Sequence, residues 1–181
     1  MNPRYRRLLT DFNKVIKEFE NHQYISVIHN NEIFPPEKYI IKYNGIKSIA
    51  LSSLSTSYNK IVEEIKNHIV EINLNLNYPR YKPVCYIKTK IFHPNFRNAY
   101  PNEVCIGDFW APGEDIVDII YKIGDMIQFK IYNVKSPLNG VAAKWAKEHI
   151  HIFPLDNTEL RLKNSEKLNT ITQNNLEINI E

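Results

Sequence analysis

Over residues 4–21 the apolar positions Tyr5, Leu8, Leu9, Phe12, Val15, Ile16 and Phe19 recur every third or fourth residue, with Arg, Lys and Glu between them. This is the period of an amphipathic helix with one stripe to bury. Its opposite face, carrying Arg6, Arg7, Lys14 and Lys17, is basic and is expected to face solvent or a partner. The period then drops to two. Residues 24–30 (YISVIHN) and 38–44 (KYIIKYN) are rich in β-branched and aromatic side chains, and Phe34-Pro35-Pro36 between them reads as a turn, so the two are expected to pair as antiparallel strands. A further β-type run, IKSIAL, leads into the polar SSLSTSYN, and the chain from there to Lys66 reads as loop or a short helical turn. Residues 68–78 set Val70, Ile72, Leu74 and Leu76 against Ile69, Glu71, Asn73 and Asn75, the plainest strand pattern in the chain. After the turn bracketed by Pro79 and Pro83, residues 84–92 (VCYIKTKIF) predict another strand.

Helical spacing returns at 115–132, where Ile116, Ile119, Ile120, Ile123, Met126, Ile127 and Ile131 share a face and Asp115 and Asp118 stand at the N-terminal end, where acidic groups suit the helix dipole. A second helix is expected over 138–149. The order of helix, about four strands, long loop and two helices predicts an α+β fold, a four-stranded antiparallel meander covered by helices. Residues 1–153 are expected to form one domain and 154–181, polar and Asn-rich, a weakly ordered tail.

Composition narrows the partners. The 181 residues are 43% hydrophobic and 24% charged, ordinary for one globular domain. A net charge of +3 without a run of consecutive basic residues argues against a nucleic-acid surface. No apolar run approaches the roughly 20 residues that span a bilayer. Two cysteines, no CxxC pair and six scattered histidines give no metal-ligand pattern, and with no signal-type start a cytoplasmic location is expected.

The candidate chemistry lies in residues 90–112, KIFHPNFRNAYPNEVCIGDFWAP. Pro94, Pro101 and Pro112 forbid regular structure through most of it, which puts Cys105 on a loop, where a side chain can be presented rather than packed. A thiol with the usual pKa of about 8.5 is a few per cent thiolate at neutral pH, enough to attack an activated thioester. His93 offers a base, although beside a strand and Pro94 a structural hydrogen bond is the expected role. Asn95 has an amide that suits either an oxyanion donor or a loop-holder, and the two are compatible. Cys85, between apolar neighbours in a strand, is expected to be buried filler.

Together these residues resemble the ubiquitin-conjugating enzyme family. The resemblance is carried by YPRYKP at 78–83, IFHPN at 91–95, EVCIGD at 103–108, Trp110-Ala111-Pro112 and SPLN at 136–139, in the family's order, and spans about residues 4–150. It implies that Cys105 accepts a ubiquitin-like protein as a thioester from an activating enzyme and passes it to a lysine amine, without cofactor or metal. It further implies that Asn95 supports the oxyanion or the loop, that Ser136 helps position the incoming lysine, and that His93, Pro94, Asp108 and Trp110 support the loop. The first helix, with Arg6, Arg7 and Lys14, becomes the docking face for the activating enzyme, and there is room for a ligase among the partners. An inactive variant that only binds a ubiquitin-like protein is the alternative, and a cysteine hydrolase using His93 or His149 a third reading. The chain departs from the family in having Val84 where a second proline is common, a long FRNAYPNE segment, a short stretch from Cys105 to Trp110 and no acidic residue at the gate beside Ser136. The short CIGDFWAP segment is closest in character to bacterial members.

Overall fold

Helix α1 (Pro3–Phe19) starts where Asn2 caps it, its side chain accepting the Arg4 N–H at 2.9 Å, with Pro3 in the first turn where no N–H is needed. In the computed structural model, which describes residues 2–29 and 33–161, α1 buries Leu8, Val15 and Phe19 together with the carboxylate of Asp11. Six strands follow: β1 (Ile25–His29), β2 (Lys38–Tyr43), β3 (Ser48–Leu51), β4 (Val62–Ile65), β5 (His68–Asn73) and β6 (Val84–Ile87). The main sheet is an antiparallel meander in the order β1-β2-β5-β6, with Ile41 opposite Val70 and Ile72 opposite Cys85. One face, formed by Tyr39, Ile41, Tyr43, Val70, Ile72, Cys85 and Ile87, is buried under the helices.

The remaining strands, β3 and β4, form a separate antiparallel hairpin between β2 and β5. This corrects the expectation of loop or helical turn up to Lys66. Strand β4 reads Val-Glu-Glu-Ile and lacks the alternation that marks a half-buried strand, so only its pairing with β3 defines it. The main strands also stop earlier than their patterns do. Strand β5 ends at Asn73 because its neighbour β2 begins at Lys38; one more bond, Leu74 N–H to Glu37 O, closes the ladder, and Leu76 then points to solvent. Strand β6 can begin only after Pro83, which has no N–H to pair.

Helix α2 (Ile116–Ile127) is capped by Asp115, whose Oδ1 accepts the Val117 N–H at 3.0 Å. It packs on α1 and on the sheet. Gly124 makes that approach possible, because a β-carbon there would meet Leu160 Cδ1 at 2.4 Å and the Tyr43 ring at 3.2 Å. Helix α3 (Gly140–Glu148), capped by Asn139, contributes Trp145 and Ala146 to a second, smaller core with Ile49, Phe92 and Phe129, and a short 3-10 helix, Ile150–Ile152, follows it.

Beyond Pro154 the chain continues along the domain. The Leu155 N–H bonds to Gln128 O at 2.9 Å and Leu160 is buried in the main core, while Arg161 pairs with Asp118 at 2.7 Å and lies over the Tyr121 ring. The rest of the expected tail, 162–181, lies outside the described residues. Among the described residues no helix is long and apolar enough to cross a membrane.

Candidate active site

The tripeptide His93-Pro94-Asn95 follows Phe92, whose N–H is held by Ile49 O at 2.8 Å, and it enters the interior instead of continuing as strand. The His93 ring is fully buried, edge-on to Phe96 and to Phe129 at centroid distances of 5.0 and 4.2 Å. Its Nδ1 accepts the Asn95 N–H at 3.0 Å, so that lone pair is used and the ring proton sits on Nε2. Burial drives its pKa down to about 3, against the opposing pull of the Ile131 backbone. The imidazole is thus a neutral wedge between Phe96 of the main core and Phe129 of the small one.

Pro94 and Asn95 hold two loops at once. Pro94 O accepts the Leu138 and Asn139 N–H groups at 2.9 and 3.0 Å, which sets the start of α3. Asn95 O accepts the Cys105 N–H at 2.9 Å, and the Asn95 Nδ2 donates to Cys105 O at 3.2 Å. On its other side Asn95 Oδ1 accepts the Asn133 N–H at 2.8 Å, and Asn133 Oδ1 in turn accepts the Lys135 and Ser136 N–H groups at 2.9 and 3.0 Å. One side chain therefore fixes both the backbone at Cys105 and the turn that presents Ser136. The Ser136 side chain is exposed.

Cys105 is a free, half-buried thiol between buried Val104 and Ile106. Its segment is fastened to the sheet by the Val104 N–H bond to Cys85 O at 2.8 Å and the Tyr86–Glu103 bridge. Cys85 is buried, and loss of solvent pushes its thiol up to about 12, far from a reactive range. Past Cys105, Gly107 takes a positive φ of 106° and its carbonyl accepts the Lys82 ammonium at 2.6 Å. Asp108 is exposed. Trp110 turns back, donating to Pro79 O at 2.8 Å with its ring 6.0 Å from that of Tyr78.

The basic face of α1 divides. Arg6 is exposed, and Lys14 is exposed although its ammonium reaches Asp115 at 2.7 Å. Arg7 is not on the outer face as expected. It pairs with buried Asp11 at 2.8 Å, donates to the Tyr78 hydroxyl at 2.8 Å, and reaches the carbonyls of Pro112 and Glu114. Tyr78 completes the cluster by donating to Asp11 at 2.5 Å. Asn133 and this Arg7–Asp11–Tyr78 cluster were not singled out from the sequence. Asn133 stands two residues before Lys135 in a turn-rich stretch, the spacing of an Asx turn, and that signal was there to be read.

The sequence model described as "Ubiquitin-conjugating enzyme" matches residues 55–154, more than half of the chain. Among solved structures, one described as a "putative ubiquitin conjugating enzyme" from Plasmodium yoelii superposes with a TM-score of 0.58 at 19% identity, over 84% of this chain and 89% of that one, a likeness of fold. No curated protein sequence gives a match. On the span of the sequence match, and with the helix–meander–helices architecture beneath it, the chain belongs to the ubiquitin-conjugating enzyme family.

Proposed function

We propose that this protein is a carrier in which Cys105 accepts the C-terminal acyl group of a ubiquitin-like protein from an activating enzyme and passes it to a lysine amine. The observation that carries the reading is the contrast between the two thiols: Cys105 is partly exposed on a loop whose backbone N–H and C=O are both bonded to Asn95, whereas Cys85 is enclosed in the sheet. Attack of the Cys105 thiolate on the incoming thioester carbonyl forms the new C–S bond and releases the activating enzyme's thiol. Attack by the amine then breaks it. Asn95 serves first by fixing the loop, with the second N–H of its amide left to support the charge that develops on the carbonyl oxygen. Ser136, on the turn held by Asn133, is assigned to guiding the incoming lysine. Arg6 and Lys14 on α1 form the docking face for the activating enzyme. His93 takes no part as a base, since its Nδ1 is occupied and its pKa lies near 3.

The test is charging. Incubated with the cognate activating enzyme, nucleotide and modifier, the wild-type chain and Cys85→Ala should each form an adduct that reductant removes, and Cys105→Ala should form none. An adduct on Cys105→Ala would end the proposal.

A further inference from the structure

Strand β6 ends at Ile87, and beside the chain that leaves it lies a cavity of about 290 Å³. Lys88, Thr89 and Lys90 line it from the strand's end, and Arg97, Asn98 and Asn102 from the loop ahead of Cys105. Leu51, Ile87 and Ile91 supply the apolar part of its surface. The lining thus holds three cations and no carboxylate, and a cleft lined by one sign of charge focuses the potential and gathers counter-ions. The three cations are not equally free. Lys88 Nζ pairs with Glu71 at 3.1 Å and lies over the Tyr86 ring, and Arg97 pairs with Glu103 at 3.3 Å, an exposed pair of the kind that stabilises little. Lys90 is exposed and forms no ion pair with another described residue.

The backbone adds donors. The Lys88 N–H is bonded to Ile69 O and the Phe92 N–H to Ile49 O, both at 2.8 Å, but the N–H groups of Thr89, Lys90 and Ile91 between them donate to no other described residue. The loop wall is held in place, because Ile87 N–H bonds Asn102 O and Arg97 N–H bonds Glu103 O, both at 2.9 Å. We infer that this cavity is a binding site for a small phosphomonoester, an anionic head on a compact apolar or ring body. Lys90 and Arg97 take the head together with the unpartnered N–H groups, since backbone donors and a guanidinium fork both match phosphate oxygens. Leu51, Ile87 and Ile91 take the body. The volume stands at the small end for ligand pockets, which suits one ring and one phosphate. The site shares no lining residue with Cys105, Asn95 or Ser136, so it stands or falls apart from the carrier reading.

The experiment is a titration of phenyl phosphate into the isotope-labelled full chain, followed by amide NMR at constant ionic strength. The amides of Thr89, Lys90 and Ile91 and of the loop from Arg97 to Asn102 should shift together and saturate with one dissociation constant of about 1 mM. Inorganic phosphate should shift the same amides with an affinity several-fold weaker, and phenol should leave them unmoved. Lys90→Gln and Arg97→Gln should each weaken phenyl phosphate roughly tenfold, the loss expected of one charge-assisted contact. Lys147→Gln, which removes the same charge from the exposed face of α3, should change the affinity by less than about twofold. All three substitutions lie at exposed positions, and spectra unchanged away from the cavity show that each variant is folded. A titration that does not saturate, shifts confined to other amides, unchanged affinity in both cavity variants, or an equal loss in Lys147→Gln would each overturn the site. Inorganic phosphate binding as tightly as phenyl phosphate would overturn the apolar body assigned to the ligand.

Discussion

At the scale of single residues, the site depends on amides that bond to backbone. Asn133 shows this most simply, because its Oδ1 is an acceptor for two N–H groups and a donor is not needed there. Asn133→Ala should cost about 1–2 kcal/mol in urea denaturation, the usual loss when turn N–H groups give up a side-chain partner. Asn133→Asp, which keeps the acceptor, should retain most of that stability; equal losses in the two variants would mean the turn does not depend on the bonds. The two thiols can be separated just as directly. Under native conditions iodoacetamide should label Cys105 alone, and in denaturant both cysteines, since Cys85 is enclosed and its thiol is pushed up to about 12. Intact-mass measurement counts the labels, and two labels on the folded protein would contradict the enclosure of Cys85. Both thiols were separable from sequence, one in a strand and one among prolines. The bond between Asn95 and Asn133 was not, because it joins residues 38 apart and runs to a backbone N–H of the kind nearly every residue possesses.

At the scale of elements, α1 is fastened to the segment that follows the cysteine loop. Arg7 holds the carbonyls of Pro112 and Glu114 and rests on Asp11 and Tyr78, while Lys14 holds Asp115, the cap of α2. Removing the guanidinium leaves the Asp11 carboxylate buried beside a lone tyrosine hydroxyl, so Arg7→Ala should cost about 2–3 kcal/mol, below the usual range for a broken buried pair because the guanidinium is partly exposed. Arg7→Lys should recover only part, since a point ammonium cannot reproduce a fork that serves a carboxylate, a hydroxyl and two carbonyls. Arg6→Ala, on the exposed face, should stay within about 0.5 kcal/mol. Chemical denaturation of the three variants checks the order, and an Arg7→Ala no weaker than Arg6→Ala would show that the cluster holds nothing together. Periodicity located α1 because seven apolar side chains share a stripe, but it assigns every arginine to the outside. Arg7 escapes that rule because its stem runs along the helix edge and its charge finds a buried partner one turn on. Strand β4 escaped for the opposite reason: its two glutamates interrupt the pattern and only a neighbour reveals it.

At the scale of the whole molecule, the meander and its covering helices were legible because each element buries one face of a long periodic segment. The second core was less so, since it gathers Ile49, Phe92, Phe129 and Trp145 from four separated stretches. Buried histidines tie overall stability to pH. His68 Nε2 donates to Ile46 O at 3.0 Å inside the sheet and burial lowers its pKa to about 4, and burial lowers that of His93 to about 3. In the unfolded chain both titrate near the ordinary value of about 6.5. Between that pH and about 4 the unfolded state binds two protons that the folded state refuses. Stability is therefore complete above about pH 7 and falls as pH drops, by as much as about 1.4 kcal/mol per pH unit for each histidine. Asp11 and Asp125, whose carboxyls burial pushes up, work in the other direction, and the histidine loss is read between about pH 6 and 5, just below the unfolded value of about 6.5. Urea midpoints measured across that range should fall with a slope near two protons. His68→Gln, whose amide can still donate to Ile46 O, should reduce the slope to about one. A wild-type midpoint flat from pH 6.5 to 5 would show that neither imidazole is held neutral by the fold.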